Sequence, residues 1–204
     1  AQDYRPYLRV TYGATTLTLY PAADAFINHY QPNKNYGSSP VLSTRNEYGG
    51  GCSTGWAFQD LIRFDLSSIP PSTSITSAKM RLYYYANWDV DPIGRDLNLY
   101  RVTQSWNEGT VTWNNQPTHD SSSAIATDQV PASVGTWMEW DVTSSVQGIV
   151  NATVVNHGWL LLDPTAWNQV NIPIAYFRSS DYAVTTPTAT PTATPTPTPT
   201  APPQ

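Results

Sequence analysis

One short motif in the sequence matches the nucleophile elbow of serine hydrolases, Gly51-Cys52-Ser53-Thr54-Gly55. In such an elbow, a strained turn between a strand and a helix exposes the serine, which a histidine and an acid activate for attack on a carbonyl carbon. Here a glycine run precedes the motif and a predicted strand follows it. His119 and His157 have no spacing that supports a triad with Ser53. The sequence therefore predicts a glycine-rich loop, and Cys52, which has no basic neighbour to lower its pKa, is not expected to be a nucleophile.

Glycoside cleavage would need a pair of carboxyl groups with distinct environments, one as the acid and one as the nucleophile or base. Glu47 lies in the glycine-rich loop, and Glu108 and Glu139 lie beside predicted strands. Nothing in the pattern assigns either role to any of them. We therefore predict that the chain is not an enzyme.

The stretch WDVDPIGRD places Asp89, Asp91 and Asp96 around Gly94, in a pattern similar to a calcium-binding loop. The position that would carry the bidentate glutamate of such a loop is Tyr100. Calcium binding is one interpretation of these aspartates. The other, which we favour, is a polar loop in which they cap turns. No metal site and no cofactor are predicted, with Ca²⁺ as the alternative.

Aromatic side chains are the main resource for binding, since the chain has eight tryptophans and thirteen tyrosines. Sugars bind proteins by stacking their C–H faces on flat rings while their hydroxyls bond to polar groups. Strand alternation directs Tyr83, Tyr85 and Trp137 outward, and together with Trp88 beside them these rings form the candidate carbohydrate platform. Alternatively, the loop 86–96 or a partner covers these rings, because large exposed aromatic patches are rare in soluble monomers.

Period-two alternation predicts an all-β protein. Residues 61–66 (LIRFDL) and 79–85 (KMRLYYY) each place apolar side chains on one face. Further strands are predicted at 4–12, 16–20, 97–102, 110–113, 137–142, 158–163 and 172–178. This number and spacing of strands favours an antiparallel, jelly-roll-like β-sandwich. One short helix is predicted at 143–150, with Thr143 as its cap.

The apolar phase of these strands predicts the core. Its expected members are Ile62, Phe64, Leu66, Met80, Leu82, Val111, Trp140, Val142 and Phe177. Three further tryptophans are expected in the core rather than on a binding surface, namely Trp106, Trp113 and Trp159. Asp24 and Arg178, near the two ends of the domain, are expected to pair and close the sandwich.

Composition points to a secreted or surface protein. Only 12% of residues are charged and the net charge is -5, which argues against nucleic acid and anionic membranes as partners. No apolar run approaches the ~20 residues of a membrane span. The chain begins with Ala1 rather than Met, as a processed secreted protein would, and the lone Cys52 excludes an internal disulfide framework.

Three segments are predicted: an N-terminal extension (1–13), a sandwich domain (14–184) and a Pro/Thr-rich tail (185–204). The extension alternates like a strand, and we predict that it leaves at Gly13 to pair with a neighbouring subunit through Tyr7, Leu8, Val10 and Tyr12. The tail should be an extended spacer. Its threonines are expected acceptors of O-glycans: Thr185, Thr186, Thr188, Thr190, Thr192, Thr194, Thr196, Thr198 and Thr200. Asn151 begins an N-glycosylation sequon.

Five blocks of the sequence, at 23–39, 61–85, 99–117, 140–151 and 175–182, resemble the DNRLRE family in their order. That family is related to the carbohydrate-binding modules grouped as family 96, and the resemblance covers about residues 17–183. It implies a β-sandwich of secreted and surface proteins, often joined by Pro-Thr linkers and in some cases binding acidic polysaccharides. It does not imply one fixed activity.

Two functions are then compatible with the sequence. The preferred hypothesis is a glycosylated structural subunit of an extracellular fibre or coat, which assembles with copies of itself, head to tail, through the terminal strand. The alternative is a carbohydrate-binding module of a larger secreted enzyme or adhesin that recognises an acidic polysaccharide.

Overall fold

Eleven β-strands and one short helix form the part of the chain that this computed structural model describes, residues 3–45, 57–88, 90–165 and 173–183. The strands are β1 (Tyr7–Tyr12), β2 (Thr15–Leu19), β3 (Pro21–Asn28), β4 (Val41–Arg45), β5 (Phe58–Phe64), β6 (Ser77–Trp88), β7 (Asp96–Arg101), β8 (Ala126–Gln129), β9 (Thr136–Asp141), β10 (Trp159–Leu162) and β11 (Ile174–Arg178). The helix, α1 (Thr143–Val150), follows β9.

All paired strands are antiparallel, in the order β2-β1-β6-β11-β4-β5-β10-β7-β8. β9 pairs with β6 and β3 with β5, outside this path. The sheet curls so that its inner faces enclose one large core. The predicted all-β, antiparallel, sandwich-like fold with one short helix is confirmed.

The core follows the predicted alternation. In β5, Ile62 and Phe64 are fully buried, and in β6 Met80 and Leu82 are. All nine predicted core residues are buried. The indole of Trp140 donates a hydrogen bond to the Leu97 carbonyl (2.9 Å), so the polar atom of this large buried ring has a partner.

The N-terminal strand pairs within its own chain, which corrects the intersubunit prediction. β1 forms a hairpin with β2 around Gly13 and also pairs with β6. Leu8 and Val10 are fully buried in the chain's own core, and Tyr12 packs against that core. The apolar face of the strand is therefore already covered, and its backbone partners are supplied by β2 and β6.

A long irregular segment, 103–118, covers the outer face of β3, β5 and β10 and forms a second core there. Trp106 and Val111 pack against Ile27 and Leu61, with Trp113 at the edge. The predicted strand at 110–113 is wrong, because turns and side-chain hydrogen bonds hold this segment instead. Asn35, for example, donates to two of its carbonyls.

Helix α1 has the predicted bounds, but Thr143 is not its cap. The cap position is Val142, and no side chain caps the helix there. The Thr143 hydroxyl instead accepts a hydrogen bond from the Ala78 amide (2.9 Å), which fixes the start of the helix against β6. Val146 and Val150 face the large core.

Candidate functional site

The outer face of β1, β6, β9 and β11 carries most of the predicted binding rings. Directly paired residues point to the same side of a sheet. Tyr83 pairs with Trp137, and Tyr7 pairs with Arg81. Tyr85 and Tyr176 lie further along on the same side, with their ring centroids 6.3 Å apart. We call this surface the aromatic face, which comprises Tyr4, Tyr7, Tyr83, Tyr85, Trp88, Trp137, Tyr176, Arg178 and Tyr182.

The rings contact one another in sequence across the strands. Tyr7 meets Trp137 edge-on with centroids 5.0 Å apart, and Trp137 lies 5.3 Å from Tyr83. Tyr4, which precedes β1, packs on Tyr83 at 4.1 Å. These rings are only partly buried. Mutual contact therefore holds each ring in place while part of each residue stays exposed.

A β-bulge brings Trp88 to this face. Strict alternation from Tyr84, which is buried, would direct Trp88 toward the core. The register between β6 and β11 shifts at Tyr176 and Phe177, so that Phe177 pairs with Tyr84 but Tyr176 pairs with Ala86. Beyond the bulge, Trp88 pairs with Ile174 and so shares the side of Tyr176. Its side chain is 58% exposed.

Arg178 lies between two tyrosines at one end of the aromatic face. Its guanidinium carbon is 3.6 Å from the ring centroid of Tyr85 and 4.2 Å from that of Tyr182. Its Nε is buried without a hydrogen-bond partner, and within the described ranges Arg178 forms no ion pair. Burial raises the pKa of the Tyr85 hydroxyl, so this ring is neutral at pH 7. The arrangement presents oriented N–H donors and a positive charge that no acidic side chain of the described residues neutralises.

At the opposite end of the same strands, the charged side chains form ion pairs and so neutralise one another. Lys79 forms an ion pair with Asp141 at 2.9 Å, and Arg81 forms one with Glu139. Arg81 also donates a hydrogen bond to the Tyr7 hydroxyl (3.2 Å). Charge along the aromatic face is therefore polarised, from paired ions at one end to the cation of Arg178 at the other.

Asp24 does not pair with Arg178, contrary to the prediction. One of its carboxylate oxygens accepts a hydrogen bond from the Ser180 amide (2.8 Å), and its own amide donates to Glu108 (2.8 Å). Arg178, whose neighbour Phe177 points into the core, points to the outer face instead. Asp24 thus ties β3 to the segment 103–118 and to the loop after β11.

Carboxylate oxygens of Asp24, Glu108 and Asp181 lie within 4.8 Å of one another, so these residues could supply oxygen ligands to a cation. Protonation of one carboxyl group also explains how three acidic side chains can lie so close together. Burial raises the pKa of Asp24 to about 7, and the nearby charge of Glu108 acts in the same direction. A protonated Asp24 removes one of three mutually repelling charges.

The residues considered for catalysis are either structural or outside the described ranges. Glu47, Cys52 and Ser53 lie outside them. Glu108 and Glu139 make the contacts described above. His119 packs beside Tyr100, and burial lowers its pKa, whereas the His157 carbonyl accepts from the Trp106 indole.

The calcium and glycan predictions rest partly on residues outside the described ranges. Asp89 and the tail threonines lie outside them. The Asp91 carboxylate accepts a hydrogen bond from the Ile93 amide, as a turn-capping aspartate does, whereas that of Asp96 accepts one from the side chain of its cross-strand partner Gln129. Asn151 is exposed at the end of α1, and its glycosylation stays a prediction.

Sequence reasoning did not assign five residues of the aromatic face to a binding surface, namely Tyr4, Tyr7, Tyr176, Arg178 and Tyr182, and it placed Tyr7 in the intersubunit strand instead. The alternation of β11 (IAYFR) contains the signal for two of them, because buried Ala175 and Phe177 require Tyr176 and Arg178 to point outward. Tyr4 and Tyr182 lie in irregular segments, where no periodicity assigns a direction.

Comparison with known proteins adds one finding. A family model described as carbohydrate-binding module family 96 matches residues 15–190, which include every strand from β2 to β11. β1 and the residues before it lie outside the match. A search of curated proteins found no match. None of the helices in the described ranges is long and apolar enough to cross a membrane.

Proposed function

The chain belongs to carbohydrate-binding module family 96, and from this premise we propose that it is a non-catalytic extracellular module that binds an anionic polysaccharide on the aromatic face. The family supplies the class of ligand, a carbohydrate. The position of the site and the preference for negative charge are inferred from the side chains.

The observation that carries the proposal is the Arg178 guanidinium held between Tyr85 and Tyr182. An arginine stacked between rings loses little further freedom when it binds a ligand, and its planar set of donors matches a carboxylate or a sulfate group. Because no protein acid neutralises it within the described residues, the charge is available to a bound anion. The net charge of -5 would repel a polyanion elsewhere, which favours binding at this position.

The rings of the aromatic face suit the uncharged part of such a ligand. Sugar rings present C–H groups that stack on aromatic side chains. Trp88 at 58% exposure offers the most open of these surfaces. From Tyr83 to Trp88 the strand advances roughly 16 Å at ~3.3 Å per residue, so the face extends beyond a single sugar ring.

The fibre-subunit hypothesis loses its main support. It required β1 to leave its domain, and β1 is paired on both sides within the chain. The tail, which was its second element, lies outside the described residues.

Replacing Arg178 by Gln is expected to lower the affinity for alginate and polygalacturonate about ten- to hundredfold. A hydrogen bond to a charged group contributes roughly 1.5–3 kcal/mol, and each ~1.4 kcal/mol is a factor of ten. Isothermal titration calorimetry would measure this loss. Hydroxyethylcellulose, a neutral polymer, serves as the comparison and should be bound equally by both proteins.

A matched control separates the site from the net charge. Arg101→Gln removes one positive charge from β7, where Arg101 pairs with Asp120 (3.2 Å). We expect this variant to keep its affinity. Equal losses in Arg178→Gln and Arg101→Gln would show that overall charge, and not the stacked arginine, governs binding.

Replacing Trp88 by Ala is expected to weaken binding to all three polymers, because stacking does not depend on ligand charge. Tyr30, which is 65% exposed and belongs to the loop after β3, provides the control. Affinity gel electrophoresis would detect the change as reduced retardation. If Trp88→Ala and Tyr30→Ala are retarded equally, Trp88 does not belong to the site.

A further inference from the structure

We propose that the N-terminal arm, residues 3–6, contacts the bound polysaccharide as part of the binding surface. In this arm, Tyr4 joins two groups of rings into one continuous row. The inference rests on the proposed function and extends it to residues outside the family match.

The aromatic face contains two groups of side chains. One consists of Tyr7, Trp137 and Tyr83, and the other is built around Arg178 with Tyr85 and Tyr182. Tyr4 contacts both, since its ring centroid lies 4.1 Å from that of Tyr83 and 6.5 Å from that of Tyr182. A chain of sugars that follows the row would therefore meet the Tyr4 ring on its way from the tyrosine-tryptophan group to the arginine.

The arm is held in position by contacts that do not involve the other rings of the face. Pro6 is buried at the start of β1. Asp3 accepts a hydrogen bond from the Arg5 amide (3.0 Å) and forms an ion pair with the Arg5 guanidinium (2.8 Å). That guanidinium lies over the ring of Tyr20 at 4.4 Å. The direction of Tyr4 is therefore fixed before any ligand arrives.

Asp3 and Arg5 act as positioning residues in this scheme. They brace the turn that carries Tyr4, and Arg5 is directed to Tyr20 rather than to the row. The hydrogen bonds from Arg5 lower the pKa of Asp3 to about 2, so the ion pair persists at the pH values at which uronic acid carboxyl groups are charged. Pre-organisation of this kind improves affinity because less freedom is lost on binding.

The arm lies outside the region that defines the family. The family match begins at Thr15, whereas Tyr4 and Tyr7 precede it. We infer that this chain extends the binding surface of the module with its own N-terminal residues. The extension should matter most for long ligands, because these can contact all the rings of the row at once, whereas a short oligosaccharide covers only part of it.

The test is the dependence of affinity on ligand length. Calorimetry with polygalacturonate and with its trimer would be carried out on the wild type, Tyr4→Ala, Tyr4→Phe and the control Tyr30→Ala. We expect Tyr4→Ala to lose about three- to tenfold in affinity for the polymer and little for the trimer. Tyr4→Phe, which keeps the ring, should restore binding, and thermal melting should show that all variants are folded.

A double-mutant cycle tests the positioning role. Arg5→Ala should weaken polymer binding, and adding it to Tyr4→Ala should cause no further loss, because Arg5 acts only through Tyr4. Additive losses would show that Arg5 acts independently of Tyr4, which overturns the positioning role.

The outcomes separate the two proposals. Unchanged or tighter polymer binding by Tyr4→Ala, while Arg178→Gln still weakens it, overturns the role of the arm and leaves the proposed function in place. Equal losses for trimer and polymer also overturn the continuous row. A wild-type chain that binds none of the polysaccharides overturns both.

Discussion

Lowering the pH from 7 to 4 is expected to raise the free energy of unfolding by several kcal/mol. Burial raises the pKa of both Asp24 and Asp60 to about 7, from a value of 3.8. Between pH 3.8 and pH 7, the two carboxyl groups are protonated in the folded chain and ionised in the unfolded chain. This stability is fully present below pH 3.8 and is lost as the pH rises through 7, on the order of 4 kcal/mol for each carboxyl.

Two other aspartates set the lower limit of this effect. Hydrogen bonds from Arg5 and from Thr143 lower the pKa of Asp3 and Asp141, respectively, to about 2. Their contribution to the free energy of unfolding is present above pH 3.8 and is lost as the pH falls toward 2. Stability should therefore be greatest near pH 4, and urea unfolding followed by tryptophan fluorescence at several pH values would locate the maximum.

Asp60→Asn should remove about half of the pH dependence. The asparagine oxygen can accept the hydrogen bond that Asp60 receives from Ser43 (2.7 Å), and the Thr44 hydroxyl can turn to accept from the amide. Asp65→Asn is the control, because that carboxyl is exposed. A wild-type profile that is flat between pH 4 and 7 would show that neither carboxyl is protonated in the fold.

Phe64→Ala is expected to reduce the free energy of unfolding by roughly 3–5 kcal/mol. Phe64 is 1% exposed and its ring lies 6.0 Å from that of Trp159, so its removal leaves a cavity in the large core. Chemical denaturation would measure the loss. Tyr30→Ala should change stability by less than about 0.5 kcal/mol, as exposed substitutions do. If both variants are equally stable, Phe64 does not belong to the core.

The alternation of apolar and polar residues predicted the strands that have one face exposed to solvent. β6 and β9 show it clearly, and Met80, Leu82 and Trp140, which the sequence placed in the core, point inward. β3 was missed because both of its faces are covered. Ala25 and Ile27 contact the second core and Phe26 packs against the first, which leaves little polar alternation to detect.

The aromatic face could be predicted only where the strands are regular. Tyr83, Tyr85 and Trp137 point outward as expected. The direction of Trp88 depends on a bulge, which a single sequence does not reveal. The intersubunit prediction was wrong for a related reason, because alternation shows that a strand has an apolar face but does not identify the strand with which it pairs.

The positions of β1 and β11 bring the first and last described strands close to each other. Both strands run antiparallel to β6 along the same side of it, β11 beside residues 84–88 and β1 beside residues 77–81. The end of β11 thus points toward the start of β1. A short linker between residues 183 and 3 would connect the end of β11 to the start of β1, and new ends could be opened at the exposed serines 121–123 without breaking any strand pair. Circular permutation would then place the fused joint beside the aromatic face, so that a reporter inserted there would lie next to the proposed polysaccharide site.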